Sequence, residues 1–237
     1  MKPVDTLYNL WRKHFGQYRI DDPRPIAVEA PYTFYLPSEA RLAAIEPDDS
    51  VKLIFRGSPK GLVHDAERMW VIVQTIHGDD FIGWLDNDPF DMPQIRHGDR
   101  VKFKRRQVIQ TSWKDKNKEA RIPAEPSKQY WDRCIVDAAV LNGTARVQFL
   151  YREEPDMTQD GDKYPDSGWR IRAHVDDLTS EEYESGSPEY TALGKVLNKD
   201  DSWLNLIDEP PGTAWFLNDE THQFEPTEFT AGSDEND

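Results

Sequence analysis

Carboxylate side chains are concentrated in residues 153–184, and they are the groups in that segment that could act in catalysis or binding. Two of them facing a bond can act as general acid and general base if an enclosed pocket shifts one pKa. Exposed on a rigid surface, the same groups instead complement the charge of a basic protein. The stretch contains Glu153, Glu154, Asp156, Asp160, Asp162, Asp166, Asp176, Asp177, Glu181, Glu182 and Glu184.

One part of this stretch also has the composition of a cation-binding loop. Asp156, Asp160, Asp162 and Asp166 surround Gly161, and calcium prefers such oxygen ligands. The residue order does not match the EF-hand pattern, however, which has its Gly near the middle and a closing Glu. An exposed acidic loop is therefore the expectation, and we predict no metal ion and no cofactor.

Motifs for other chemistry are absent from the sequence. It contains no phosphate-binding glycine loop, no nucleophile elbow and no paired-histidine zinc motif. Its 6 His are scattered, and none is spaced as a metal ligand with another His or with the single Cys134. Cys134 lies in an apolar run without an adjacent basic residue, which favours a buried and unreactive thiol. We predict no catalytic residue and a protein that is not an enzyme.

The net charge of −15 is unevenly distributed. Residues 1–126 hold 20 basic and 19 acidic residues, whereas residues 127–237 hold 9 basic and 25 acidic ones. An anionic half repels phosphate backbones and anionic membranes and attracts cationic surfaces. The longest apolar run, 69–73, is much shorter than the ~18 residues needed to cross a bilayer. We therefore expect a cytoplasmic protein with a cationic protein partner and without nucleic-acid or membrane binding.

The elements that must position these residues divide into two groups. In the first half, apolar spacing predicts an amphipathic helix over 4–15 with Leu7, Trp11 and Phe15 on its apolar face. Alternation predicts strands over 51–55 and 100–103, and a Gly turn joins strands 68–75 and 80–85. We predict a sheet-rich domain over 1–113, and a linker over 114–128 because that segment is charged and contains Pro123 and Pro126.

The second half shows a similar pattern. Asn142-Gly143 between apolar runs 134–141 and 144–151 predicts a β-hairpin. A strand follows over 168–175, with Trp169 in the core, and Thr179 caps a helix. We predict an acidic domain over 129–218 and a flexible acidic tail over 219–237. The fold class is α+β, with two small domains that each have a mostly antiparallel sheet and one or two covering helices.

Two five-residue blocks carry a resemblance to a known family. The blocks 151–155 (YREEP) and 166–170 (DSGWR) resemble a bacterial domain found among immunity proteins of polymorphic-toxin systems, and the similarity extends over about 132–218. The resemblance implies stoichiometric binding of a cognate toxin in the cytoplasm. This chain departs from the family in a longer, Asp-rich insert between the two blocks. The segment 32–113 is similar to a sheet-rich bacterial domain of unknown function through ERMWV, GWLDNDP and GDRVKF, and this implies no chemistry.

Charge and resemblance together favour an immunity protein that neutralises a bacterial toxin or effector through an acidic surface. A carboxylate-dependent hydrolase and a non-catalytic regulatory or scaffold module are the alternatives. Aromatic residues among the acids could anchor the interface, because interface hot spots favour Tyr and Trp. The predicted toxin-binding residues are Glu153, Glu154, Asp156, Asp160, Asp162, Tyr164, Asp176, Asp177, Glu181 and Glu182.

Overall fold

A computed structural model of the chain describes residues 3–124, 127–157, 161 and 163–228. The chain forms two compact units. Unit 1 consists of Met1–Glu29 with Phe34–Ser127, and unit 2 consists of Ala30–Thr33 with Lys128–Asp237. Each unit contains a sheet and short helices, so the predicted α+β class with two sheets is confirmed. In the described part of the chain, no helix has the length and apolar content that a bilayer span requires.

Unit 1 is built on an antiparallel six-stranded sheet with the order β1-β2-β3-β4-β5, in which β6 also pairs with β2. The elements of unit 1 are α1 (Pro3–Phe15), β1 (Gln17–Ile20), α2 (Arg24–Glu29), α3 (Glu39–Ala43), β2 (Ser50–Ser58), β3 (Ala66–His77), β4 (Asp80–Leu85), β5 (Arg100–Lys104), β6 (Gln110–Ser112) and α4 (Lys118–Arg121). The predicted Gly-turn hairpin is confirmed as β3 and β4.

Helix α1 forms where it was predicted, but its apolar stripe does not face the core. Leu7, Trp11 and Phe15 are 69%, 50% and 71% exposed. The opposite face instead buries Arg12 completely, and its guanidinium donates to the Asp91 carboxylate at 2.9 Å. A buried ion pair therefore holds this helix to the segment between β4 and β5, which hydrophobic spacing alone could not predict.

The predicted linker over 114–128 is wrong for its first part, because that segment is folded into unit 1. Helix α4 buries Lys118, whose Nζ lies 2.8 Å from carboxylate oxygens of both Asp49 and Glu46. Arg41 reaches the same helix through an ion pair with Glu119 at 2.8 Å. The charges that indicated a linker from the sequence thus form the contacts that hold the segment in place.

Unit 2 contains a second six-stranded sheet with the order β10-β7-β9-β8-β11-β12. All its neighbours are antiparallel except β7 and β9, which run parallel. Its elements are β7 (Arg133–Asp137), α5 (Ala138–Asn142), β8 (Val147–Arg152), β9 (Asp166–Ala173), α6 (Ser180–Ser185), β10 (Pro188–Ala192), α7 (Leu193–Leu197), β11 (Ala214–Asn218) and β12 (Gln223–Thr227).

The hairpin predicted at Asn142-Gly143 is wrong. Residues 138–142 form α5, and Gly143 ends this helix in the left-handed conformation at φ 73°, with its N–H on the carbonyl of Val140. Asn-Gly thus ends a helix here, since a left-handed Gly suits a helix C-terminus as well as a tight turn. Strand β9 separates β7 from β8 in the sheet.

The predicted flexible tail is wrong for its first residues, because β12 pairs with β11 and closes one edge of the sheet. Residues 229–237 lie outside the described residues. The unit 2 core lies on one face of the sheet, where residues of α5 and α7 meet the buried side chains of the central strands. Trp169 and Cys134 are fully buried in this core, as predicted, and burial raises the pKa of the Cys134 thiol.

Candidate functional site

The predicted toxin-binding carboxylates lie at two opposite ends of the unit 2 sheet. Glu153 follows β8 and meets the start of β9, where its N–H donates to the carbonyl of Gly168. Asp177 meets the other end, beside Arg146, which precedes β8. The 8 residues of β9 separate these ends by about 23 Å at a rise of ~3.3 Å per residue. The predicted residues therefore form two groups, and Asp160 and Asp162 lie outside the described residues.

The first group surrounds one buried guanidinium, that of Arg170 on β9. Asp166 accepts from its Nη1 and Nη2 at 3.0 and 2.9 Å, in a bidentate pair with almost no exposure. Glu153 accepts from its Nε at 2.8 Å, and Asp156 accepts from Nη2 at 3.1 Å. Three carboxylates thus share one cation, and we call these four residues the Arg170 cluster.

Electrostatics in the Arg170 cluster favours the charged states of Asp166 and Arg170. Burial raises the pKa of Asp166, but the hydrogen bonds from Arg170 and from the Gly168 N–H outweigh burial and leave the pKa lowered. Burial likewise works against the Arg170 cation, and Asp166 and Glu153 outweigh it and raise the pKa of Arg170. A general acid needs a raised carboxyl pKa, so the shift at Asp166 is opposite to the one the hydrolase alternative requires.

The two sequence blocks of the resemblance supply the structure around this cluster. Gly168 has φ +81°, and a Cβ there would lie 2.1 Å from the Glu153 carbonyl oxygen, so only Gly allows β8 and β9 to meet so closely. Arg152 lies over the Trp169 ring at 5.6 Å and donates to the Ser167 carbonyl at 2.9 Å. The blocks YREEP and DSGWR therefore position a charged cluster between two strands.

The second group lies where unit 2 forms an open depression of about 540 Å³. Arg146 donates to both oxygens of Asp177 at 2.9 and 3.1 Å, and this hydrogen bonding lowers the Asp177 pKa to about 2. Glu182 completes a capping box with Thr179 and accepts from the Thr144 hydroxyl at 3.0 Å. Asp177 and Glu182 thus have structural partners, while Asp176 and Glu181 are exposed.

The remaining predicted residues lie near the first group along the chain. Glu154 is exposed. The ring of Tyr164 stacks on Trp131, with centroids 5.9 Å apart and planes 26° apart. The segment carrying Asp156 lies close to β10, because the Tyr190 hydroxyl donates to the Met157 carbonyl at 3.4 Å.

Sequence reasoning missed the sheet face that continues from the Arg170 cluster. Strand register places Arg172, Phe149 and Phe216 side by side on β9, β8 and β11. The next row on the same three strands is Arg170, Tyr151 and Ala214. The alternation of the strands places these residues opposite the core-facing Trp169, Leu150 and Leu217. Arg170 and Ala214 in the second row are buried, so we call the exposed part of this surface, formed by Arg172, Phe149, Tyr151 and Phe216, the open face.

Rings are in contact across the open face. Phe149 lies 5.4 Å from Tyr151 and 6.4 Å from Phe216, centroid to centroid. Phe149 and Tyr151 are partly exposed and Phe216 is 45% exposed. Arg172 completes the row through an ion pair with Asp137 at 2.9 Å. The sequence showed aromatic residues at positions 149 and 151, which lie on the same face of a strand. Their neighbour Phe216 could be found only from the pairing of β8 with β11.

Among the residues that the structure describes, no three His, Cys, Asp or Glu side chains come together in an arrangement that could hold a metal ion. The Arg170 cluster brings three carboxylates together, but the Arg170 guanidinium occupies the space between them where a metal ion would bind. What the surface can do chemically is present negative charge beside exposed rings.

Comparison with known proteins assigns one part of the chain. Residues 134–228 match the family model described as the immunity protein Imm33 domain. This segment starts in β7 and extends just past β12, so it contains both groups of carboxylates and the whole open face. No curated protein and no solved structure gives a match. The match supports an immunity function and a toxin partner in general terms.

Proposed function

We propose that this chain is a cytoplasmic immunity protein that binds a cognate bacterial toxin stoichiometrically and does so through the acidic surface of unit 2. The observation that carries the proposal is the match of residues 134–228 to an immunity-protein family. Binding alone suffices for neutralisation, so the chain needs no catalytic residue. The negative charge of residues 127–237 disfavours nucleic acid and anionic membranes as partners of this half.

Charge supports the proposal because residues 127–237 hold 25 acidic and only 9 basic residues. Such a surface raises the rate of encounter with a cationic protein and lowers it for anionic competitors. Toxins that act on nucleic acid need cationic surfaces to hold their substrate. An acidic immunity protein can therefore cover the surface with which the toxin holds that substrate.

The geometry ranks the predicted contact residues. Glu154 and Asp156 at one end of the sheet, and Asp176 at the other end, are exposed and can approach a partner directly. Glu153, Asp177 and Glu182 are held by partners within unit 2 and act through the local structure that they maintain. Asp160, Asp162, Tyr164 and Glu181 complete the proposed surface.

Co-purification with a toxin tests the proposal. The probe is the toxin encoded by the neighbouring gene, produced in a catalytically inactive form. We expect a one-to-one complex on size exclusion and growth protection when the chain is expressed with the active toxin. A toxin that fails to bind the full chain, or cells that die despite a stable complex, would overturn the proposal.

Charge reversal tests the acidic surface separately. We expect Glu154→Lys with Asp156→Lys to slow association at least tenfold at low ionic strength, and the effect to shrink at high salt because exposed charges are screened. The matched control is Asp65→Lys with Asp88→Lys, two exposed acids of unit 1, which should leave the rate unchanged. Glu153 and Asp156 both pair with Arg170, but the Glu153 side chain is only 35% exposed and that of Asp156 is 74% exposed, so Asp156 is the better site for a charge reversal. Equal association rates for both double variants would remove this end of the sheet from the interface.

A further inference from the structure

The strands of unit 2 present two different faces. On one face the buried side chains meet α5 and α7 and form the core. On the other face, β9 carries two guanidinium groups, and the neighbouring strands β8 and β11 carry aromatic rings. A sheet with one face in the core commonly shows small polar side chains on its other face. Cross-strand aromatic pairs stabilise a sheet, and the exposed part of these rings is in addition available to a partner.

The composition of the open face matches that of the centre of a protein interface. Interface cores are enriched in Tyr, Phe and Arg, and a few such residues carry most of the binding free energy. The Phe149 ring lies next to those of both Tyr151 and Phe216, so a partner would meet one continuous apolar patch. Arg172 lies beside Phe149 and is held in place by Asp137. The side chains are therefore already ordered before a partner arrives, which lowers the entropy cost of binding.

Acids border this patch, and they decide which partner fits. Glu225 on β12 lies opposite Phe216, and the outer carboxylates of the Arg170 cluster lie at the end where Tyr151 meets Arg170. An apolar centre with a negative border complements a protein surface with an apolar centre and a positive border. A single-stranded nucleic acid could stack on the same rings, but the acids would repel its phosphates.

We infer that the open face, centred on Phe149, Tyr151 and Phe216, is the surface on which the cationic toxin docks, and that Phe216 is its main anchor. This inference rests on the proposed function and names the surface that performs it. The acids at the ends of the sheet then steer the encounter, and the rings slow dissociation.

The test measures the affinity of the neighbouring-gene toxin, in its inactive form, for single variants of the full chain. We expect Phe216→Ala to weaken binding at least tenfold, mainly through faster dissociation, and Phe216→Tyr to bind within about twofold of the original chain. Because the Phe216 ring is 45% exposed, both variants should melt close to the original temperature. The matched control is Phe90→Ala in unit 1, whose ring is 76% exposed and should not affect binding.

Two further measurements make the inference falsifiable independently of the proposed function. Tyr183→Ala removes a ring that is 69% exposed on α6, at the other group of carboxylates. If this variant weakens binding while Phe216→Ala does not, the toxin binds at the α6 end, and the inference fails although the immunity function stands. Anisotropy with a labelled single-stranded DNA oligonucleotide should show no binding, and binding that depends on Phe216 would assign the face to nucleic acid. Absence of any complex with the original chain would refute the immunity function itself.

Discussion

Both units bury an arginine against an aspartate, yet the two sites have different surroundings. In unit 1, Arg12 and Asp91 are 0% and 6% exposed, so the pair is closed off from solvent. In unit 2, Arg170 and Asp166 are 4% and 1% exposed, but Arg170 also holds Asp156, which is 74% exposed. At the first site one carboxylate neutralises the Arg12 cation. At the second site three carboxylates surround the Arg170 cation and leave a net negative charge.

The Asp91 carboxylate stabilises the fold, whereas the outer carboxylates of the Arg170 cluster are charges that a partner can reach. The Asp91 carboxylate also accepts from the N–H groups of Val63 and His64 at 2.6 and 3.0 Å, so its hydrogen-bonding capacity is used within unit 1. In the Arg170 cluster only Asp166 has this role, and it accepts from the Gly168 N–H at 3.0 Å. The outer carboxylates are anchored at one oxygen and remain available at the surface. A buried cation can thus hold carboxylates in positions where a partner can reach them.

The largest effect should follow removal of either buried arginine. Arg12→Met and Arg170→Met each leave an uncompensated buried carboxylate, and each should lower the free energy of unfolding by about 3–5 kcal/mol. Hydrogen exchange resolved by peptide should show the loss in unit 1 for the first variant and in unit 2 for the second.

Toxin binding distinguishes the two arginine variants. Below its melting temperature, the Arg12→Met variant should retain the original affinity, because its site is closed. The Arg170→Met variant should bind more weakly, because the outer carboxylates lose their anchor. If both variants lost affinity equally, the distinction between a closed and an open site would be wrong.

A smaller effect is expected from acid. Burial raises the pKa of Asp91, but the hydrogen bonds from Val63, Arg12 and His64 outweigh it and lower the pKa to about 2. Because the folded pKa lies below the unfolded one, this contribution is complete above about pH 4 and disappears as pH falls towards 2, at a cost of about 2 kcal/mol. Urea unfolding between pH 7 and pH 2 measures it, and Asp91→Asn should remove this part of the pH dependence along with the stability.

The corresponding acid-sensitive group in unit 2 should respond differently to salt. Hydrogen bonding to Arg146 lowers the pKa of Asp177 to about 2 as well, so the sign of its pH dependence is the same. That pair is partly exposed, however, with Arg146 at 49%, and dissolved ions screen it. High salt should therefore reduce the acid sensitivity of unit 2 and leave that of unit 1 unchanged. A similar salt response in both units would mean that Asp91 is not shielded from solvent.

The sequence predicted what local pattern and composition determine. Alternation identified the strand in which Val101 and Phe103 are buried and Lys102 and Lys104 are exposed. Burial of Trp169 and Cys134, and the helix that begins after Thr179, were also predicted, because each depends on nearby residues. The charge imbalance predicts a cationic partner, and the charge-reversal experiment tests that prediction.

What the sequence did not predict depends on which strands become neighbours. The insertion of β9 between β7 and β8 replaces the expected hairpin, and it brings Arg170 between Glu153 and Asp166. Phe149 and Phe216 are distant in the chain and adjacent only in the sheet. The burial of Arg12 required its partner Asp91, which no spacing rule connects to it.

The variant with the smallest expected change in stability gives the most direct test of the difference between the Arg12 and Arg170 sites. Asp156→Asn removes an outer carboxylate that is 74% exposed, and exposed ion pairs contribute little, so the free energy of unfolding should change by less than about 0.5 kcal/mol. Association with the toxin should nevertheless slow several-fold at low salt, because the rate follows the charge that solvent and partner can reach. Asp91→Asn should show the reverse pattern, with a large loss of stability and an unchanged association rate in the folded protein. Stopped-flow association and urea denaturation of the two variants measure both quantities, and a stability loss in Asp156→Asn that matched that of Asp91→Asn would show that the Arg170 cluster is a structural site like that of Arg12.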